Sequence, residues 1–207
     1  MRHQQLSLFS TADVPQHKES TSGSFVDNMG LPVHRWFRYS AGFSAAWAED
    51  LISREARNHD VRVFDPFAGS GTTLIAAEQC GVESLGIDPH PFVARIAQAK
   101  LAYRSSPNEY LQRAKEVLVA ARHDSPFLES YSPLIRKCYT DEALKQLDCL
   151  RRAIESTDDD SECARLAWLT LVSVLRSTSH VGTANWQYLM PGRRKARVPE
   201  PFDGLRI

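Results

Sequence analysis

The sequence DPFAGSGTT, residues 65–73, lies between a predicted strand and a predicted helix. The preceding residues, Val61 to Phe64, are β-branched, basic or aromatic, which is typical of a short strand. A helix is predicted from Thr72 to Cys80. Because Gly69 and Gly71 carry no side chain, a ligand can approach the backbone of the turn closely. This stretch therefore predicts a strand, a glycine-rich ligand-binding turn and a helix.

The residues that follow repeat this order of elements. Gly81 is predicted to end the first helix, Glu83 to Ile87 form a second strand, and Pro91 to Tyr103 form a second helix. Alternating strands and helices predict an α/β fold with a parallel, doubly wound sheet. Further helices are predicted over Asn108–His123, Asp141–Ser156 and Ser161–Ser179, so the fold continues as a mostly helical segment.

Two acids mark the ends of the predicted strands. Asp65 ends the first strand and can accept a hydrogen bond from an ammonium group, while the helix N-terminus beyond the turn suits a carboxylate. Asp88 ends the second strand and can accept hydrogen bonds from ribose hydroxyls in the same crevice. The third glycine of the dinucleotide-binding motif is missing, which disfavours NAD. The pattern predicts a ligand with an amino-acid group and a ribose.

The turn resembles motif I of DNA methyltransferases that modify exocyclic amino groups, namely N6 of adenine or N4 of cytosine. Leu85 to Asp88 is similar to motif II of the same family, and His34 to Ser44 resembles motif X, whose aromatic side chain packs against the cofactor. The resemblance implies a partial Rossmann-like methyltransferase fold and S-adenosyl-L-methionine (AdoMet) as cofactor. The implied cofactor-binding residues are Asp65, Pro66, Phe67, Ala68, Gly69, Ser70, Gly71, Thr72, Asp88, His34 and Phe43. A core cluster that caps a helix is the alternative role for the aromatic segment.

The loop that carries the chemistry in this family, Asp/Asn/Ser-Pro-Pro followed by an aromatic residue, has no match in the sequence. The nearest stretches are Ser132-Pro133-Leu134, Asp88-Pro89-His90 and Pro199–Phe202, and no catalytic residue is assigned. An unpaired hydrophobic strand edge would also invite another chain. Three explanations stay open: a split enzyme whose second polypeptide supplies the loop, a truncated product, or a noncatalytic partner.

Composition gives a coarser picture. Lys plus Arg and Asp plus Glu number 25 each, so no net positive charge indicates nucleic acid, and DNA contact would need a local patch or another chain. The four cysteines form no metal-binding pattern, and no metal is predicted. Without a predicted signal peptide or membrane span, we expect a cytoplasmic protein with no membrane partner.

Three further segments carry weaker signals. Gln5-Leu6-Ser7-Leu8-Phe9 resembles the peptide by which bacterial proteins dock on the replicative sliding clamp; packing on its own domain is the alternative. Trp186 and Tyr188, followed by a basic cluster at Arg193–Lys195 and Arg197, suit either nucleic-acid contact or a solvated surface. Asp158–Asp160 is predicted to cap a helix rather than to bind metal.

These observations predict four regions and one leading function. The regions are a flexible N-terminal tail (1–30), an AdoMet-binding half-domain (31–105), a helical segment (106–180) and a basic C-terminal tail (181–207). The leading function is the AdoMet-binding portion of a methyltransferase acting on double-stranded DNA with base flipping, in restriction–modification or genome marking. The alternatives are an RNA guanine-amino methyltransferase fragment and a noncatalytic subunit that binds DNA or the sliding clamp.

Overall fold

The computed structural model describes residues 27–39, 42–181, 195 and 197–204. Its two strands are β1 (Val63–Asp65) and β2 (Ser84–Gly86). Its α-helices are α1 (Ala45–Ala56), α2 (Thr72–Gln79), α3 (Pro91–Leu101), α4 (Pro107–His123), α5 (Pro133–Arg136), α6 (Asp141–Ser156), α7 (Glu162–Thr178) and α8 (Pro201–Gly204). Single 3₁₀ turns occur at Asp27–Gly30, His34–Trp36 and Ala102–Arg104.

The two strands form the predicted parallel pair, connected through α2. Val63 pairs with Ser84, Phe64 with Leu85, and Asp65 with Gly86. Helix α2 ends as predicted at a left-handed glycine, Gly81, whose φ is +70°. The N–H of Val82 donates to the carbonyl of Ala77 at 2.8 Å and that of Gly81 to Glu78 at 3.1 Å, so the last carbonyls of α2 are satisfied. The mixed helix and sheet architecture confirms the predicted α/β class.

The sheet has one covered and one exposed face. Val63 packs with the buried residues of α1 and α2, namely Ala48, Ile52, Ala76 and Ala77. Phe64 and Leu85 lie opposite each other in the register and point away from that layer, with 59% and 63% of their surface exposed. Successive side chains of a strand point to opposite faces of the sheet, so Val63 faces the covered side and Phe64 faces the exposed side.

The three long helices of the second half form their own core. Its buried residues include Val117 of α4, Leu147, Leu150 and Ile154 of α6, and Leu171 and Val174 of α7. Hydroxyl side chains cap each helix: Thr140 accepts from the N–H of Ala143 at 3.1 Å, and Ser161 from that of Ala164 at 3.2 Å. The half with the sheet joins this core where Ile96 and Ala99 of α3 pack against Leu169 of α7.

The loop between α4 and α6 is held by a buried acid. The carboxylate of Asp148 on α6 accepts hydrogen bonds from the Phe127 N–H at 2.7 Å and the Tyr131 hydroxyl at 2.8 Å, and it pairs with Arg151 at 3.0 Å. Burial opposes ionisation of this group, but the donors from Phe127, Arg151 and Tyr131 outweigh it and lower the pKa of Asp148.

The structure also adds elements that the sequence did not predict. Helices α5 and α8 and the 3₁₀ turns were not expected, and α3 ends at Leu101, before the predicted Tyr103. The proposed boundaries of the four regions stay a prediction. Among the described residues, no helix has the length and apolar character needed to cross a membrane.

Candidate functional site

The glycine-rich turn after β1 has the backbone that its sequence predicted. Gly69 has φ +53° and Gly71 has φ +85°, in the left-handed region that residues with a Cβ rarely adopt. Gly71 is the N-cap residue of α2, and its carbonyl accepts from the N–H of Ile75 at 3.0 Å. The turn therefore brings the first N–H groups of α2, which lack partners within the helix, to the carboxyl end of β1.

Asp65 organises this turn through both carboxylate oxygens. Oδ1 accepts from the N–H of Phe67 at 3.0 Å, and Oδ2 accepts from the Thr73 hydroxyl at 2.5 Å. Two carboxylate oxygens offer about four acceptor positions, so Asp65 can accept further hydrogen bonds from a ligand. Thr73 was not predicted as a site residue, although it is the last residue of the motif.

Asp88 joins the end of β2 to the same turn. Its Oδ2 accepts from the N–H of Gly69 at 3.0 Å, and its Oδ1 accepts from the N–H of His90 at 2.9 Å. Backbone bonds continue the link, because the N–H of Ala68 donates to the Ile87 carbonyl at 2.9 Å. The structure thus brings both predicted acids to one turn.

The side chains within the turn differ sharply in exposure. Phe67 has 78% of its surface exposed, whereas Ala68, Ser70 and Thr72 are buried, and Pro66 is exposed. The buried Ser70 Oγ has no hydrogen-bond partner among the described residues. Buried hydroxyl groups normally find a partner, so Ser70 supplies a polar group that a bound ligand can satisfy.

The aromatic segment before α1 places Tyr39 against Gly69 of the turn. A Cβ built on Gly69 would lie 3.1 Å from Tyr39 Cε1, so the tyrosine ring lies against the glycine. Phe43 packs instead with the core of α1 and α2, and its ring contacts Trp47 edge to face at 5.7 Å. Tyr39 was missed, although its position within the aromatic segment was the available signal.

His34 lies inside the protein, beside α3. It is 2% exposed, and neither ring nitrogen has a hydrogen-bond partner among the described residues. Burial, together with the charge of Lys100, lowers the pKa of His34 to about 4, so its ring is neutral at neutral pH. Among the described residues, the His34 ring makes no hydrogen bond to the glycine-rich turn.

Lys100 anchors the aromatic segment to α3. Its fully buried side chain donates to the carbonyl of His34 at 3.3 Å and to that of Phe37 at 3.4 Å. Burial lowers the pKa of Lys100 to about 8. The anchored segment leads directly to Tyr39, so α3 helps to set the position of that ring.

The acidic, basic and N-terminal segments that the sequence singled out are not part of the glycine-rich turn. Asp158, Asp159 and Asp160 pair with Arg95, Arg113 and Arg165 respectively. Lys195 Nζ donates to the Arg176 carbonyl at 2.7 Å. Residues 5–9, Trp186, Tyr188, Arg193 and Arg194 lie outside the described residues.

Comparisons with known proteins find similarity to one family of enzymes. The family model described as DNA methylase, for N6 and N4 methyltransferases, matches residues 7–99. No solved structure shows significant similarity to the chain.

Three curated relatives are Type II methyltransferases. The chain is 28% identical over 179 residues to M.BsoBI of Geobacillus stearothermophilus, covering 86% of this chain and 35% of that protein. It is 35% identical over 77 residues to M.AvaI of Nostoc sp., covering 37% of this chain and 16% of the relative. It is 30% identical over 118 residues to M.MjaII of Methanocaldococcus jannaschii, covering 57% of this chain and 20% of the relative. The chain thus spans about a third or less of the length of these relatives, and its residues 7–99 are similar to the DNA methylase family of amino-methyltransferases.

Proposed function

We propose that this chain binds AdoMet at the turn of residues 65–73 and serves as the cofactor-binding part of a DNA methyltransferase acting on adenine N6 or cytosine N4. The observation that carries the proposal is the hydrogen bond from the Gly69 N–H to Asp88 at 3.0 Å. This bond holds the acid at the end of β2 against the glycine-rich turn, and the position of both acids at one turn supports the proposal.

The residues present fit the cofactor. Asp65 has acceptor capacity for the ammonium group, the N-terminus of α2 suits the carboxylate, and Asp88 has acceptor capacity for ribose hydroxyls. The buried Ser70 hydroxyl offers a further partner, and Tyr39 covers the turn where Phe43 had been expected. Bound AdoMet would supply a methyl group activated by its positive sulfur, and the chain's own residues would bind and orient it.

We propose further that a second polypeptide supplies the contacts to the target base. The 207-residue sequence contains no Asp/Asn/Ser-Pro-Pro-aromatic loop. Among the described residues β1 pairs only with β2, and the adjoining sheet face exposes Phe64 and Leu85. An unpaired strand edge beside an apolar face is a surface that another polypeptide strand and helix can cover.

Calorimetric titration with AdoMet tests the cofactor assignment. The chain should bind saturably, and Asp65→Ala and Asp88→Ala should each weaken binding at least about tenfold, because each loses an acceptor worth roughly 1.5 kcal/mol or more. Asp50→Ala is a matched control, since Asp50 lies exposed on α1 and pairs only with Arg54 in the salt bridges described. No binding by the folded chain, or equal binding by all variants, would contradict the assignment.

A second proposed partner is the bacterial sliding clamp, through Gln5–Phe9. This proposal rests on the sequence pattern, because residues 5–9 lie outside the described residues. A peptide of these residues should bind purified clamp, and substitution of Leu8 and Phe9 by alanine should abolish binding, because both side chains would enter an apolar pocket. Equal binding by the substituted peptide would reject the clamp as partner.

A further inference from the structure

A cavity of about 340 Å³ lies where the sheet-containing half meets the helical segment. Trp36 comes from the segment before α1, Tyr103 from the turn after α3, and Tyr110 from α4; Ser105, Thr170 and Ser173 add hydroxyl groups. The volume is within the range of small-molecule sites, which often lie between structural units and combine apolar walls with a few polar groups.

The three aromatic walls are held in place by contacts with neighbouring residues, some of which also line the cavity. Trp36 packs against the buried cluster of Ile96, Ala99 and Leu169. The Tyr110 hydroxyl lies 2.7 Å from Thr170 Oγ1, which itself donates to the Leu166 carbonyl at 2.9 Å, so Tyr110 is the donor of that pair. Arg104 Nε donates to the Tyr103 hydroxyl at 2.9 Å. Walls fixed in this way lose little conformational entropy when a planar ligand binds.

The polar character of the cavity indicates an uncharged ring system. None of the described residues that line it is charged. The hydroxyl hydrogens of Ser105, Thr170 and Ser173 are already donated within the protein, so these oxygens meet a ligand as acceptors. The guanidinium of Arg104 lies over the Tyr103 ring, 5.4 Å from its centroid, and is paired with Glu78 at 3.1 Å. A flat heterocycle that carries an amino donor group matches the aromatic walls and the acceptor oxygens.

The cavity is separate from the proposed AdoMet site. Helix α3 begins at Pro91, just after Asp88, and its 11 residues end at Leu101, beside the Ala102–Arg104 turn that carries Tyr103. At a rise of 1.5 Å per residue, the helix separates Tyr103 from the Asp88 loop by about 16 Å. No residue assigned to AdoMet lines the cavity.

From these observations we propose that the cavity bounded by Trp36, Tyr103 and Tyr110 binds a nucleobase. The base stacks against the aromatic walls, and its amino group donates to the hydroxyl oxygens of the lining. The base comes either from a free nucleotide or from an unstacked position in a single strand, because stacking on aromatic side chains suits both. The site goes beyond the proposed cofactor binding and does not depend on it.

Calorimetry with two adenine-containing probes tests this site. Deoxyadenosine monophosphate represents the free nucleotide, and a short oligodeoxyadenylate represents the strand. Ser173→Trp places a large ring at an exposed lining position of α7 and fills the cavity, whereas Ser177→Trp makes the same change one turn further along the exposed side of α7, outside the lining. Asp65→Ala and Asp88→Ala report on the other site.

The expected result is saturable binding of at least one probe, weakened tenfold or more by Ser173→Trp and unchanged by Ser177→Trp and by both aspartate variants. Binding of the mononucleotide identifies the free nucleotide as a sufficient ligand, and binding of the oligonucleotide alone identifies the strand. Three results overturn the proposal: neither probe binds, Ser173→Trp binds as tightly as the unmodified chain, or an aspartate variant abolishes binding of the probe.

Discussion

At the residue scale, the acids of the site act on the backbone of their own turn. Asp65 accepts from Phe67 and Thr73, and Asp88 accepts from Gly69 and His90, so each carboxylate is oriented before any ligand binds. Preorganised groups of this kind bind a ligand at a lower entropic cost than mobile ones. The aromatic contact to the turn comes from a residue that was not expected, and it can be tested directly.

Tyr39 and Phe43 should differ when each is replaced by leucine. Tyr39→Leu should weaken AdoMet binding about tenfold, or by ~1.4 kcal/mol, because the ring against Gly69 is lost. Phe43→Leu should lower the free energy of unfolding by about 1 kcal/mol with little effect on binding, because Phe43 packs in the core. Calorimetry and urea denaturation separate the two effects. The reverse pattern would return the cofactor contact to Phe43.

His34 should make stability depend on pH. Its pKa of about 4 in the folded protein lies below the usual value near 6.5, so the unfolded chain binds more protons between these values. Stability should therefore fall as the pH drops from 6.5 towards 4, by up to about 3 kcal/mol. Urea denaturation at several pH values in this range should show that the free energy of unfolding changes less steeply with pH for His34→Gln than for the unmodified chain. The exposed His59 offers the control His59→Gln, which should keep the slope; equal slopes for all three would reject the role of His34.

At the element scale, α2 and α3 position the site from opposite sides of the turn. Gly71 is the N-cap residue of α2, and a Cβ built there would lie 3.1 Å from Ala97 Cβ of α3. Near its other end, α3 holds the aromatic segment through Lys100. The close approach of the two helices therefore depends on glycine at the N-cap position of α2.

Gly71→Ala tests this packing, with Gly81→Ala as its matched control. Both glycines have positive φ, but a Cβ on Gly81 would meet nothing within 4 Å. Gly81→Ala should lower the free energy of unfolding by about 1–2 kcal/mol through backbone strain alone. Gly71→Ala should lower the free energy of unfolding by more than Gly81→Ala does, because α3 must also move to make room for the new Cβ. Urea denaturation gives both values, and an equal or smaller loss for Gly71→Ala would contradict the packing argument.

The elements differ in how far the sequence could predict them. The order of strands and helices from Val61 to Leu101 follows from local patterns, namely the short β-rich runs, the glycine turn and the Gly81 cap. The place of Tyr39 does not, because it depends on Lys100, which is 66 positions from His34 in the chain. The division between Tyr39 and Phe43 is likewise a matter of tertiary packing, and no local pattern distinguishes the two rings.

At the scale of the whole molecule, two cores meet along α3 and α7. Ile96 and Ala99 pack on Leu169, and Phe92 contacts Trp168 edge to face at 5.7 Å. This junction creates the aromatic cavity, which the sequence did not predict because its walls come from distant parts of the chain. The exposed Phe64 and Leu85 lie on the outer face of the sheet, where we propose that a second polypeptide docks.

The central claim, that AdoMet lies on the turn between β1 and α2, is tested most directly by titrating the ¹⁵N-labelled chain with AdoMet and following its amide resonances. If AdoMet binds there, the largest shifts should occur at Gly69, Gly71 and Asp88. Shifts confined to other regions, such as the helical segment, or no shifts at saturating AdoMet, would contradict it.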